Sequence, residues 1–154
     1  MMKWLTRFRK SQRGTSLVEF SIVLPLLFLL SAGIFEFGTL LYDFHLINTG
    51  IHDAARFLAH TNDPASSETA AAQLAVYGQV GGSVKRVSWW KTTDIKFTLT
   101  PVANANGAYR GPNPFYIVTV ATTAKDPGVG FLNYLGLGGS ITFTLQHEER
   151  VVGN

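Results

Sequence analysis

Residues 20–35 form an apolar run without a charged side chain, and this run constrains the fold more than any other feature. As a helix, these sixteen residues would span about 24 Å, at a rise of about 1.5 Å each. That is shorter than the ~30 Å hydrocarbon core of a bilayer, but apolar residues within 17–18 and 37–41 bring the run close to the ~20 residues that a span requires. The sequence therefore predicts one membrane-spanning helix with Glu19 and Glu36 near its two interfaces, because a carboxylate deeper in lipid is costly.

The basic charge of the chain lies ahead of this run. Residues 1–14 contain five of the 13 Lys and Arg residues and no acidic residue, so the remaining chain is slightly acidic. An excess of positive charge on one side of a span predicts a cytoplasmic N-terminus, with residues 45–154 on the far side of the membrane. We find no basic stripe elsewhere, so nucleic acid is not an expected partner.

Three interpretations of the N-terminus compete. A secretory signal would be cleaved near the small residues at 31–33, but Glu19 and the apolar stretch that continues past Gly33 count against it. A plain signal-anchor would leave the chain uncleaved. A prepilin-type leader would be cut on the cytoplasmic side, after Gly14, and the apolar helix would stay on the mature protein.

Glu19 gains a chemical role under the third interpretation. Cleavage after Gly14 creates an α-amino group at Thr15, and such a group has a pKa of roughly 7.7–8.0. A carboxylate four residues later lies one helical turn away, so it can pair with this amine or with the amine of a neighbouring helix. Pairing offsets part of the desolvation cost of both charges. The alternative is that Glu19 snorkels at the interface without a partner; the glycine at the right offset favours pairing.

Pro25 and Glu36 each leave two interpretations open. Pro25 removes a backbone donor and tends to kink a helix, which fits either an ordinary anchor or a helix that packs against other helices. Glu36 either marks the outer interface or meets a partner helix.

The helix is expected to continue beyond the membrane to about residue 60, for a length of roughly 69 Å. Apolar residues recur with helical spacing on one face: Phe44, Ile47, Ile51, Ala54 and Leu58. On the polar side, Asp53 and Arg56 are spaced to form an ion pair. Gly50 is a tolerated weak point in this helix.

Residues 61–154 are predicted to form an extracytoplasmic head. A short helix would begin after Ser66 or Ser67, run to about Val80 and end at Gly81 and Gly82. Strand patterns follow at 84–90, 95–100, 115–123 and 141–145, the last extending toward 152. Residues 102–114 form a loop rich in Asn, Gly and Pro, and the apolar loop at 127–137 either covers the sheet or forms a docking patch, with covering the more common outcome. The predicted fold class is α+β.

Motifs for catalysis or cofactor binding are absent from the sequence. No cysteine is present, which excludes thiol catalysis, cysteine zinc sites and disulfides. Asn133 stands where a dinucleotide fingerprint that starts at Gly128 needs its third glycine. His45 and His52 are seven residues apart, whereas two histidine ligands of a helical zinc site are four apart. One residue of the Trp89-Trp90 pair is expected to face the core, because side chains alternate along a strand. We therefore expect no catalytic residue, no cofactor and no bound metal.

The string RGTSLVEFSIVLPLLFLL, together with Glu36 and the later Ala54-Ala55-Arg56, resembles the TadE-like proteins. These are pseudopilins, or minor pilins, of tight-adherence (Flp) type IV pili. The resemblance covers about residues 13–58, and beyond them it rests only on length, element order and a charged C-terminus.

This resemblance implies a prepilin peptidase that cuts between Gly14 and Thr15, which makes Glu19 the fifth residue of the mature chain. Phe20 stands where the major Flp pilins carry tyrosine, which points to a minor component. Thr15 also departs from the phenylalanine that begins many mature type IV pilins. The resemblance therefore does not imply that Thr15 is N-methylated.

The resemblance further implies a pilin-like layout: a leader (1–14), a transmembrane helix (15–42), its continuation (43–60) and the head (61–154). The chain would lie in the bacterial cytoplasmic membrane as a single-pass protein, and it could enter the pilus. Its partners would be the prepilin peptidase, other pilins through the N-terminal helix, the inner-membrane assembly platform and membrane lipid. The alternative is an uncleaved, membrane-anchored envelope protein whose head binds a periplasmic partner.

Overall fold

The structure is a computed structural model that describes residues 13–107, 110, 112–128, 130–136 and 138–152. Its elements are, in chain order, α1 (Arg13–Ala59), α2 (Glu68–Tyr77), a 3₁₀ turn (Thr92–Asp94), β1 (Ile95–Val102), β2 (Phe115–Lys125), α3 (Phe131–Tyr134) and β3 (Thr142–Arg150). A long N-terminal helix, a short helix and a three-stranded antiparallel sheet confirm the α+β class.

Helix α1 contains 47 residues, so its length is about 70 Å. It continues through Pro25 and ends one residue before the predicted boundary. Its first half is apolar and exposed, whereas Ile47, Ile51 and Leu58 in its second half are almost completely buried. The helical spacing of apolar residues in the second half therefore predicted the buried face correctly.

Helix α2 begins directly after Ser67, as predicted, but it ends earlier than expected. The chain leaves the helix at Gly78, where φ is +76° and the backbone N–H still donates to the Leu74 carbonyl. A left-handed residue of this kind closes a helix, and glycine adopts it without steric cost. The prediction that Gly81 and Gly82 end the helix was therefore wrong.

The sheet has the order β1-β2-β3, and both pairs are antiparallel. Alternate residues of the central strand face the core, namely Val118, Val120, Thr122 and Ala124. This alternation is what a strand with one covered face requires. All three strands match segments predicted from the sequence; β1 and β2 are each two residues longer than predicted, and β3 lies within the predicted segment and its extension toward 152.

The fourth predicted strand, at residues 84–90, does not form. Its buried side chains, Val87 and Trp90, are three residues apart, a spacing that strand alternation does not allow. The Trp90 N–H donates to the Val87 carbonyl within a turn, and the Arg86 N–H donates to the Val76 carbonyl of α2. Contacts with the helices therefore determine the course of this segment.

The core lies between α1, α2 and one face of the sheet. Small residues of α2, Ala71 and Ala75, let the two helices approach, and Trp90 fills the remaining space with its ring fully buried. The Trp90 Nε1–H donates to Thr122 Oγ1 at 3.1 Å, and the Thr122 hydroxyl donates to the Asp94 carbonyl at 2.9 Å. Trp90 is the inward-facing member of the tryptophan pair, as expected, although no strand presents it.

The apolar loop between β2 and β3 does not cover the sheet with its described large side chains. Phe131, Tyr134 and Leu135 are 49%, 87% and 44% exposed, and α3 lies against α1. The prediction that this loop covers the sheet was therefore wrong for these residues. At the start of α3, Gly130 closely approaches the Glu36 side chain of α1.

Candidate functional site

The first half of α1 exposes apolar side chains on every side. Those more than half exposed are Leu17, Val18, Phe20, Ile22, Leu26, Phe28, Leu30, Ile34, Phe35, Phe37 and Tyr42. A soluble monomer rarely exposes so large an apolar surface, and a helix that is apolar all round is normally buried in protein or in a membrane. In the described part of the chain, α1 is the one helix long and apolar enough to cross a membrane.

Glu19 lies on this exposed surface, next to Phe20. Within the part of the chain that the structure describes, no ion-pair partner lies near its carboxylate. Gly14 is exposed in the first turn of α1, and Thr15 is also helical. The backbone thus brings Thr15 and Glu19 onto one helical face, about 6 Å apart along the axis. The remainder of the predicted leader, residues 1–12, lies outside the described residues.

Glu36 meets the head of its own chain, which neither of the two predicted alternatives included. Its carboxylate lies so close to Gly130 that a side chain at position 130 would collide with it. A Cβ at this position would therefore force the Glu36 side chain to shift. Glu36 therefore belongs to the junction between the apolar helix and the head.

A cleft of about 880 Å³ opens at this junction. Glu36 and Asp43 line it from α1, and Trp89 and Asp126 line it from the head. The Trp89 Nε1–H donates to Asp43 Oδ2 at 3.3 Å, and the Trp89 ring stacks on Phe143 with centroids 5.7 Å apart. The cleft thus combines three carboxylates with an aromatic wall.

The pKa of the Asp43 carboxyl reflects the electrostatic environment of this cleft. Partial burial raises the pKa of its carboxyl above the ordinary value, the hydrogen bond from Trp89 lowers it, and the nearby Asp126 charge raises it. The net shift is upward. Burial and a neighbouring like charge therefore outweigh the stabilising hydrogen bond.

Asp53 has a different partner from the one predicted. Arg86, from the loop after α2, places Nη2 at 2.5 Å from Asp53 Oδ2, while Arg56 is exposed. Arg86 is better placed because its backbone is already bonded to α2, so its side chain crosses to α1 over Gly78. The ion pair joins α1 to the loop of the head instead of joining two residues of α1.

Three of the four histidines lie on α1 and β3, and His60 directly follows the end of α1. His52 stacks on His147 with ring centroids 3.6 Å apart, and His147 Nε2 lies 3.2 Å from Glu149 Oε1. His45 is exposed on α1 and touches Phe44 edge-on. Among the described residues, no group of three or more possible ligands is arranged to hold a metal.

Sequence reasoning missed the cleft, the Asp53–Arg86 pair and the histidine stack. Each joins residues that are more than thirty positions apart in the chain. The sequence offered one weak signal, the Asp126-Pro-Gly turn at the end of a strand pattern, which marks a return of the chain at that position.

Comparison with known proteins bears on the same helix. Residues 14–56 match the family model of the TadE-like proteins, close to the range in which the sequence resembles them. The match begins at Gly14 and ends at Arg56, so the head lies outside it. No curated protein and no solved structure matches the chain. Over residues 14–56 of its long N-terminal helix, the chain is therefore similar to the TadE-like proteins.

Proposed function

We propose that this chain is a minor pilin of a tight-adherence (Tad) type IV pilus. In this proposal it is anchored in the cytoplasmic membrane by residues 15–42, with its N-terminus in the cytoplasm and its head outside. It takes part in initiating, priming or anchoring pilus assembly. The observation that carries the proposal is the exposed apolar half of α1, which the family match includes from Gly14 onward.

Processing is the first step in this proposal. A prepilin peptidase cuts between Gly14 and Thr15, and the new amine of Thr15 lies one turn from Glu19. The amine is largely protonated at neutral pH, so it attracts the Glu19 carboxylate of its own helix or of a neighbour. The second possibility would align helices of adjacent subunits along the membrane normal.

Assembly follows from the shape of α1. Most of the side chains of its apolar half are exposed, so this half can exchange lipid for the helices of other pilins. The assembly platform of the inner membrane would take up the processed chain in this state. The function needs no catalytic group, so we propose that the protein is not an enzyme.

The Glu19 carboxylate tests the proposal directly. In a strain that lacks the wild-type chain, Glu19→Ala should reduce piliation to background, because the α-amino group loses its anionic partner in a low-dielectric setting. Piliation is counted by electron microscopy, and immunoblots of membranes report the amount of the chain.

Ser21→Ala is the matched control. Ser21 is also exposed in the apolar half, but its hydroxyl donates to the Val18 carbonyl of its own helix at 2.8 Å, so its loss should leave piliation unchanged. Normal piliation with Glu19→Ala would contradict the proposal.

The junction cleft favours a second candidate, an uncleaved anchor whose head binds a periplasmic partner. Three carboxylates and Trp89 around 880 Å³ would suit a cationic group of such a partner. This candidate predicts that Glu19→Ala changes nothing and that Asp43→Asn or Asp126→Asn weakens partner capture.

A further inference from the structure

The exposed side chains of Phe131, Tyr134 and Leu135 form a patch at the base of the head, hereafter the α3 patch. It is formed by α3 and the turn that follows, which are closed by hydrogen bonds from Tyr134 N to the Gly130 carbonyl and from Leu135 N to the Phe131 carbonyl, both at 3.1 Å. Tyr134 is 87% exposed. Exposure of these apolar side chains to water is unfavourable for a soluble head.

The position of the α3 patch along α1 is fixed by Gly130. Gly130 precedes α3 and lies against the Glu36 carboxylate, and α3 itself packs against α1. The far end of the head lies at the other end of α1, where Val152 N donates to the Ala59 carbonyl. The α3 patch is therefore at the end of the head nearest to the apolar half of α1.

The depth of Glu36 in a bilayer follows from the length of α1. Counted from Ser16, the twenty residues of helix that cover the ~30 Å of a hydrocarbon core end at Phe35, directly before Glu36. Counted from Glu19, they end at Gly38, directly before Thr39, which lines the junction cleft. Either count places Glu36, and with it the α3 patch, within one helical turn of the outer boundary of the hydrocarbon.

The neighbouring surface of α1 is consistent with this depth. Phe35 and Phe37, which flank Glu36 in the helix, are 76% and 61% exposed. In the membrane-resident protein of the proposed function, lipid covers these side chains. Aromatic side chains, tyrosine above all, are enriched at such a boundary because their rings are apolar and their hydroxyls stay hydrated.

We infer that the α3 patch inserts into the outer leaflet of the membrane, so that the head of the membrane-resident protein rests on lipid headgroups. The inference rests on the membrane anchoring in the proposed function. It adds a second lipid contact, made by the head, to the contact made by α1. The head is thereby held close to the bilayer until the chain leaves it for the pilus.

Site-directed spin labelling tests this inference with little interference, because the chain contains no cysteine. The full chain is reconstituted in vesicles of phosphatidylethanolamine and phosphatidylglycerol, with one label at Tyr134→Cys, Tyr116→Cys or Phe28→Cys. Collision of each label with oxygen, which concentrates in lipid, and with a water-soluble nickel complex is measured by power saturation. Tyr116→Cys is the matched control, since Tyr116 is an exposed tyrosine near the start of β2, at the far end of the head.

We expect the label at 134 to lose most of its collisions with nickel and to gain collisions with oxygen, relative to the label at 116. Equal nickel accessibility at 134 and 116 would overturn the inference. Shielding of the label at 134 from both reagents would overturn it too, because that result indicates a protein contact such as a second copy of the chain.

The label at Phe28, an exposed residue near the middle of the apolar run, separates this inference from the proposed function. If it is accessible to nickel, the membrane anchoring itself fails and the inference fails with it. If it is in lipid while the label at 134 is in water, only the inference fails. Since Tyr134 is exposed, its replacement removes no core packing, and near-ultraviolet circular dichroism of the buried Trp90 checks that the head is folded.

Discussion

The Asp53–Arg86 ion pair links α1 to the loop that follows α2. Its nitrogen and oxygen are 2.5 Å apart, and the Arg86 side chain is only 18% exposed. A guanidinium that is mostly shielded from water depends on its carboxylate partner more than an exposed one does. At the scale of single residues, stability of the head should therefore respond to Asp53 and hardly to Arg56.

Asp53→Asn should lower the free energy of unfolding by about 1 kcal/mol, because a partly exposed pair is worth less than a buried one and the Arg86 charge remains without its counterpart. Urea unfolding of the detergent-solubilised chain, followed by tryptophan fluorescence, measures the change. Arg56→Gln is the control, and it should stay within about 0.5 kcal/mol of wild type. An equal or larger loss with Arg56→Gln would contradict the assigned pairing.

A second prediction for a single residue concerns the buried hydroxyl of Thr122. Its hydroxyl accepts from Trp90 and donates to the Asp94 carbonyl, and it is 2% exposed. Thr122→Val keeps the shape of the side chain but leaves two buried polar groups unpaired, so it should cost about 1–3 kcal/mol of unfolding free energy.

Thr123→Val on the same strand is the control for that experiment, because Thr123 is exposed and its change should cost less than about 0.5 kcal/mol. Equal losses for the two variants in the same urea titration would mean that the Trp90–Thr122 hydrogen bond contributes nothing.

At the scale of elements, α1 depends on a glycine where it meets the head. A Cβ at Gly50 would lie 2.5 Å from the Ala75 carbonyl oxygen and 2.8 Å from the Trp90 ring. Sequence reasoning regarded Gly50 as a tolerated weak point, whereas the structure makes it the contact that lets α1, α2 and Trp90 pack together.

Gly50→Ala should therefore lower the midpoint of thermal unfolding, with a loss of about 1–3 kcal/mol from overpacking. Gly38→Ala, in the same helix, is the matched control. No described atom lies within 4 Å of a Cβ at Gly38, and alanine favours a helix by up to about 1 kcal/mol over glycine. A greater loss with Gly38→Ala than with Gly50→Ala would contradict the packing described.

The elements that the sequence predicted correctly are those with a local signal. The apolar run and the repeat from Phe44 to Leu58 predicted α1. Alternation predicted β1 and β3, and a high content of β-branched residues predicted β2. The strand predicted at residues 84–90 was wrong because the apolar side chains of Val87 and Trp90 do not belong to a strand pattern. They fill the space beside α2. The junction cleft could not be predicted, since Glu36 and Asp126 meet only after the chain has folded back along α1.

At the scale of the whole molecule, α1 serves two environments. Its second half forms one wall of the head core, while its first half is left uncovered for lipid or other helices. A rigid continuous helix connects them, so movement of the head is coupled to movement of the anchor. This architecture fits a subunit that is first held in a membrane and then extracted into a helical assembly.

The role of Gly14 can be separated from folding. No described atom lies within 4 Å of a Cβ built at this position, so Gly14→Val should leave the fold and the amount of membrane-bound chain unchanged. If processing occurs after Gly14, this variant should accumulate with its leader attached, and it serves as the uncleaved reference in the following measurement.

Mass spectrometry of the chain from isolated membranes determines the mature N-terminus. This measurement decides whether the chain is cut after Gly14 and keeps its apolar helix. Our account predicts a wild-type chain that begins at Thr15 and keeps its apolar helix. A chain that begins at Met1 or Met2 would leave a plain anchor, and one that begins near Ile34 would mean a secreted head; either result would contradict the account.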